Sequence, residues 1–469
     1  MSTHELGKEE YRTILEMYFR SFGTGDFSKV RFSSQIQFLS PISGVTMNGR
    51  YEVLRFLTGV ATRVSAVNII STAVDFPTAS GVWQMTTTKG VQYTLHNFFR
   101  LDGEGLAYIW PMFDPKAVMD NPTGLLQWLR GEGYYEVAAL TPKQLAGVTI
   151  SKNGRIFVNF PRWIDEPTPS VAEIAADGSL VSYPNEDINE WDKLPGVSAR
   201  DHFVCVQSVV VDSEDALWIL DPASPDFQGV VEGGAKLLKI NLATNEIDRV
   251  YHFDSETTLP TSYLNDVRFA NGFAFITDSG VGAIVVVDLT TGKIRRLLEN
   301  HPSTKAEQNV EPEIWGRPWK FADGTTPQVH SDGIAIDPKL EHVYYKALVG
   351  RTLYRVAISA LLDESLSPEA LGNVVERVAE TEPTDGLEFD TQGNLYMTAL
   401  ETNAIKVLRT DGRIEMFARA TDFLWPDTIT MSGDGDLLFS ATQFHLMPAF
   451  NGGVDKRTPP YKVFRLKLR

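Results

Sequence analysis

Hydrophobic and polar positions alternate in a unit that recurs over the C-terminal two-thirds of the chain. Six segments carry it: "AGVTISKNGRIFV" from Ala146, "QSVVVDSEDALWIL" from Gln207, "NDVRFANGFAFIT" from Asn265, "DGIAIDPKLEHVYY" from Asp332, "DGLEFDTQGNLYMT" from Asp385 and "DTITMSGDGDLLFS" from Asp427. In each, a small or polar residue opens a run with apolar side chains at every second place, the period of a strand. A turn rich in Gly, Asp and Asn follows, and then a second apolar and aromatic run.

Every interval between copies leaves room for four short strands with loops of varying length. Four-stranded units repeated six times predict a mainly β fold, a six-bladed β-propeller over residues 140–469. The residue opening each unit then falls near one mouth of the central channel, giving a ring of Ala146, Gln207, Asn265, Asp332, Asp385 and Asp427. A charge at the end of an apolar strand is admissible where that end opens onto a solvated funnel, and a glycine behind it allows close backbone approach. Asp-Gly is equally a plain turn former, but three aspartates in register across consecutive units favour a shared role. The alternating chain end "YKVFRLKLR" predicts a strand of the last blade, with "YYEVAAL" as its fourth, a closure that removes an open sheet edge.

Residues 1–118 lack the repeat. "EEYRTILEMYFRSF" and "YEVLRFLTGVATRV" space their apolar residues at helical intervals, and "VWQMTTTKG", "VQYTLHNFFRLDGEG" and "LAYIWPMF" follow as strands of an antiparallel meander. The order predicts a separate, cone-shaped α+β domain, joined to the propeller by a connector over residues 119–139.

Composition narrows the function classes. With 43 Lys+Arg against 60 Asp+Glu the formal net charge is -17, which repels nucleic acid and anionic membranes. No run approaches the roughly eighteen apolar residues of a membrane-spanning helix. One cysteine, Cys205, excludes an intrachain disulfide, and the first residues lack a signal-peptide pattern, so a reducing, cytoplasmic setting is expected. The signatures of serine hydrolases, zinc sites and P-loops are missing as well.

Clustered carboxylates raise one another's pKa, so Asp332 or Asp385 can act as a general acid or base near neutrality. His330, two residues before Asp332, and His445, after the sixth unit, are candidate proton shuttles. Gln207, Asn265 and Arg162, with Trp163, Trp425 and Phe444, are candidate substrate-binding residues lining an apolar pocket. For each histidine and aromatic the plainer reading is ordinary packing.

Two resemblances add to this. The N-terminal pattern resembles the NTF2-like superfamily, which includes polyketide cyclases (SnoaL-like), ketosteroid isomerases and dimerisation modules. The positions matching that superfamily's catalytic carboxylates are Ser40 and Asn97, neither of them a base, so the resemblance implies a cone without isomerase chemistry and a possible route to a homodimer. Over residues 140–469, "GVTISKNGRIFVNFPRW", "LNDVRFANGFAFITDSGVGAIVVVDLTTGK", "SDGIAIDP", "TDGLEFDTQGNLYMTALETNAI" and "FNGGVDKRTPPYKVFRLKL" resemble the major royal jelly/Yellow family of six-bladed propellers. That family implies isomerase activity in some members and small-ligand binding in others. Its insect members are secreted and disulfide-bearing, so this chain looks like an intracellular branch.

The pairing of the two domains is similar to fungal natural-product enzymes that steer cycloadditions such as hetero-Diels-Alder couplings. It implies an isomerase or cyclase acting on a small apolar or aromatic metabolite without a redox cofactor. Similarity to gluconolactonase-type propellers implies instead a calcium-like divalent cation held by Asn265, Asp332, Asp385 and Asp427, although Ala146 stands where that type has a glutamate. A third reading is a non-catalytic ligand carrier.

Overall fold

The recurring runs fold into six antiparallel four-stranded sheets arranged as a mainly β, six-bladed propeller. The computed structural model describes residues 6–39, 46–88, 90–113, 135–163, 169–191, 197–420 and 422–468. The innermost strands of blades one to six are Val148–Ile150, Ser208–Val211, Leu264–Ala270, Ser331–Ile336, Leu387–Phe389 and Pro426–Met431. In blades one to five the strands pair in chain order. In blade six, Tyr461–Leu466 is flanked by Tyr135–Thr141. Tyr135–Thr141 is thus the closing strand expected from "YYEVAAL", so residues 135–139 belong to the ring rather than to the connector, and the two ends of the propeller hold each other.

The core lies between blades. Trp218, Leu220 and Leu237 of blade two pack with Val267, Ile276 and Val285 of blade three, all at most 2% exposed. Each such side chain contributes about 1.5–3 kcal/mol by leaving water. Buried polar side chains fix the register of neighbouring blades: Asn159 Nδ2 donates to the Val206 carbonyl at 2.8 Å, and Thr277 Oγ1 donates to the Asp332 carbonyl at 2.5 Å. The Ser440 hydroxyl donates likewise to the Ala146 carbonyl, from blade six to blade one.

In the N-terminal part, α1 (Lys8–Thr24) and α2 (Gly49–Ala61) pack with a six-stranded sheet. The expected meander is there, from Thr78–Thr87 through Gln92–Leu101 to Leu106–Met112. Three strands escape the sequence reading, Phe32–Leu39, the short Thr46–Asn48 and Val64–Asp75, and the first pairs parallel with Leu106–Met112. Thr46–Asn48 is too short to show a period, and the alternation of the two longer strands is blurred by polar residues facing outward and, in Val64–Asp75, by two register shifts. α1 fills the concave side with Tyr18, Phe19 and Phe22 against Trp83 and Phe99. Asn97 is buried there as a bridge, accepting from Trp83 Nε1 at 2.8 Å and donating to the Tyr18 hydroxyl at 3.5 Å. Ser40 lies outside the described residues.

Candidate functional site

The ring read from the sequence assembles at one mouth of the channel. The strand ladder slips between Leu264 and Val267, between Ser331 and Ile334, and between Pro426 and Ile429. These bulges fall on Asn265, Asp332 and Asp427 and release their side chains from the pleat toward the funnel. Behind Asp332 and Asp385 stand glycines for a steric reason. A Cβ on Gly333 would collide with the Asp385 carbonyl oxygen, and one on Gly386 with that of Asp427. The Asp-Gly pair thus lets each blade's inner strand press against the backbone of the next, which holds the three aspartates together.

Above the ring lies a cavity of about 500 Å³. Gln207, Asn265, Asp332, Asp385 and Asp427 are the polar groups at its base, with Asp226, Gln228, Ser279 and Gln328 also in the lining, and Trp163, Tyr263, Trp319, Trp425, Phe444 and Phe450 are among its aromatic walls. Asn265 Nδ2 donates to Asp332 Oδ2 at 2.9 Å, and Trp425 Nε1 donates to Asp385 Oδ2 at 2.8 Å. On the opposite side Trp163 Nε1 donates to the Tyr263 hydroxyl at 2.8 Å, which in turn donates to Gln207 Oε1 at 2.8 Å. Each polar atom so engaged has its direction fixed before a ligand arrives.

The three carboxyl groups differ in proton affinity. Burial holds Asp332 well above the usual carboxylate range, and the charges of Asp385 and Asp427 push it further. Asp427 is likewise held well above that range by burial and by Asp385. Burial also raises Asp385, to about 6, while hydrogen bonds from Trp425 and Asp332 favour its ionised form. The cluster thus divides into two carboxyl groups, Asp332 and Asp427, whose protons are held by burial and by neighbouring charge, and one, Asp385, whose ionised form is favoured by hydrogen bonds.

The structure corrects several candidates. His330 does not line the cavity: its Nδ1 accepts the Ala306 amide at 2.9 Å, and burial with the nearby Lys305 charge lowers its pKa. His445 stacks on Trp425 at 5.8 Å, behind the cavity wall, and burial pushes its pKa down to about 3. Neither is placed to shuttle a proton. Arg162 lies over the Trp191 ring at 5.4 Å rather than in the cavity, and its carbonyl accepts from the Asp226 amide.

The cation expected at Asn265, Asp332, Asp385 and Asp427 does not fit the donors as built. Among the described residues no group of three or more His, Cys, Asp or Glu side chains is disposed to hold a metal ion. Asp332 Oδ2 and Asp385 Oδ2 already accept hydrogen bonds from Asn265 and Trp425, and burial disfavours the charged forms of Asp332 and Asp427 that a hard cation needs.

Sequence reading missed Tyr263, Trp319 and Phe450. Tyr263 precedes an inner strand, just outside the repeat. Trp319 lies in the longest interval between repeats, and that excess length was its one signal.

Fold and cavity define a six-bladed propeller with an acid-based, aromatic-walled cup. The chain matches the Major royal jelly protein family over residues 204–445, just over half its length, and belongs to that family. Residues 6–134 match a domain of unknown function, DUF4904. No curated protein sequence matches the chain.

Among solved structures it is similar to virginiamycin B lyase from Staphylococcus aureus (13% identity, 71% of this chain and 99% of that one, TM-score 0.41). It is also similar to the calcium-binding protein regucalcin from Agrobacterium tumefaciens (16%, 70% and 93%, TM-score 0.44) and to a gluconolactonase from Xanthomonas campestris (11%, 71% and 99%, TM-score 0.37). Likeness at this level carries nothing about chemistry. No helix among the described residues is long and apolar enough to cross a membrane.

Proposed function

We propose that the cup is the active site of an isomerase or cyclase that moves protons on a small, uncharged or cationic aromatic metabolite without a redox cofactor. The observation that carries the reading is the trio Asp332, Asp385 and Asp427, whose environments separate their proton affinities at the base of an aromatic cavity. Asp385, ionised near neutrality, is the base that removes a proton from carbon beside a carbonyl. Asp332 or Asp427, protonated, hydrogen-bonds to the carbonyl oxygen and donates to it as charge develops. The resulting enol either takes the proton from Asp385 at another carbon of a conjugated system or attacks a second carbonyl carbon of the same molecule, whose oxygen takes that proton; in both cases the enol O–H proton returns to Asp332 or Asp427, and both groups regain their starting state.

For a cycloaddition the same acids activate a carbonyl-bearing diene by hydrogen bonding, and the aromatic walls hold the two reacting ends together. No lysine, arginine or histidine lines the cavity among its described residues, so phosphate and carboxylate substrates find no counter-charge. Asn97, spent on a structural bridge, supports an N-terminal cone of NTF2-like type that does no proton chemistry itself.

The test is solvent exchange: aromatic enones and enolisable ketones are incubated with the protein in D2O between pH 5 and 8 and followed by NMR. Deuterium incorporation at the carbon beside the carbonyl is expected with the native chain and lost with Asp385→Asn. Equal incorporation by both proteins would overturn the reading, and binding without any exchange would make the propeller a carrier.

A further inference from the structure

The DUF4904 region touches the propeller at one place that leads directly to the cup. Between blades three and four the chain makes a small hairpin, Glu313–Ile314 paired with Arg317–Pro318. Its two turn residues, Trp315 and Gly316, both have positive φ, at 52° and 69°, the backbone a tight two-residue hairpin requires. A bulky tryptophan in that region is strained, and here the residue is 4% exposed, buried in the cluster that also contains Trp319, Leu348 and Trp425.

Leu54 of α2 packs against that same cluster. It sits so close to the turn that a Cβ on Gly316 would meet Leu54 Cδ1 at 2.5 Å and the Arg50 Cβ at 3.2 Å. Arg50 also forms an ion pair with Glu313 at 3.0 Å. On the far side of the hairpin, the Trp319 amide donates to the Pro312 carbonyl at 2.8 Å, which ties its backbone to the hairpin, and its side chain shares the cluster of Trp315. Trp319 packs on Trp425 with ring centroids 4.9 Å apart, and Trp425 holds Asp385. Van der Waals contact and hydrogen bonds thus run unbroken from α2 to the base of the cup.

We propose that the N-terminal domain is a positioning module for the cup. Arg50 and Leu54 clamp the Glu313–Pro318 hairpin and thereby set Trp319 and Trp425 as the wall that a ligand packs against. Arg50 and Leu54 are positioning residues, since neither lines the cavity. The proposal rests on the cup being the ligand site, and not on the reaction performed there.

The test uses the full chain and the neutral fluorescent ketone 6-propionyl-2-dimethylaminonaphthalene as probe, with hydrogen exchange by mass spectrometry over residues 313–321. Arg50→Glu sets like charges together and is expected to weaken probe binding about threefold or more and to speed exchange in the hairpin. Combining it with Glu313→Arg reverses the pair and restores both readouts, a recovery that a general loss of stability would not give. Leu54→Ala acts in the same direction without changing charge, and Arg50→Glu, on a partly exposed pair, serves where Leu54→Ala fails to fold.

Native-like affinity and exchange in Arg50→Glu and Leu54→Ala would overturn the proposal. So would weakened binding that the reversed pair fails to restore. A native protein that does not bind the probe would remove the cup as ligand site and the proposal with it. If the probe binds and responds to Arg50→Glu while Asp385→Asn leaves deuterium exchange intact, the reaction is wrong and the positioning role stands.

Discussion

Trp425→Phe keeps an aromatic ring in the cavity wall and removes the indole N–H that points at Asp385 Oδ2 from 2.8 Å. A hydrogen bond to an ionised acceptor contributes about 1.5–3 kcal/mol, and one pKa unit corresponds to about 1.36 kcal/mol, so the loss is worth about one to two units. The second bond to Asp385, from Asp332, survives and can tighten, which favours the lower end. The apparent midpoint of Asp385 should therefore rise from about 6 by about one unit. Protein carrying carboxyl-labelled 13C-aspartate, titrated by NMR between pH 4 and 9 with Asp385→Asn as the assignment control, measures this without any substrate. An unchanged or lowered midpoint would show that the indole does not stabilise the carboxylate, and the division of the cluster into acids and base would lose its physical cause.

Further expectations concern stability and metal. Asp332, Asp385 and Asp427 hold protons more tightly in the folded chain than in the unfolded one, where aspartate ionises near about 3.9. Their contribution is thus full below that pH and lost as pH rises through about 6 and beyond. The melting temperature of Asp332→Asn should fall less between pH 4.5 and 7.5 than that of the native chain, and parallel slopes would contradict the assignment. Gly386→Ala forces a Cβ into the Asp427 carbonyl and should destabilise by about 1–3 kcal/mol in urea unfolding, whereas a neutral outcome would mean the blades are not pressed together there. Tyr263→Phe leaves Gln207 Oε1 and Trp163 Nε1 without their shared partner and should cost about 1–3 kcal/mol by the same measurement. Exhaustive dialysis against a chelator should leave probe binding and deuterium exchange unchanged, and loss of either would restore the cation reading.

The alternation in six segments determined the blade count, the closing strand and the ring of inner polar residues, because strand period and turn chemistry are local properties of the chain. It also placed Asp332, Asp385 and Asp427 at one mouth, since equivalent positions of a repeat become neighbours around an axis. The sequence could not decide which side chains beside that mouth face the cavity. His330 and His445 are adjacent in sequence to cavity residues and yet turn away, one onto a backbone amide and the other behind Trp425. Tyr263 and Trp319 entered the cup through loops whose course depends on contacts from distant segments. The split in proton affinity between Asp385 and its neighbours, and the clamp of α2 on the hairpin that carries Trp319, exist only where burial and inter-element distances are set, and those are properties of the tertiary structure alone.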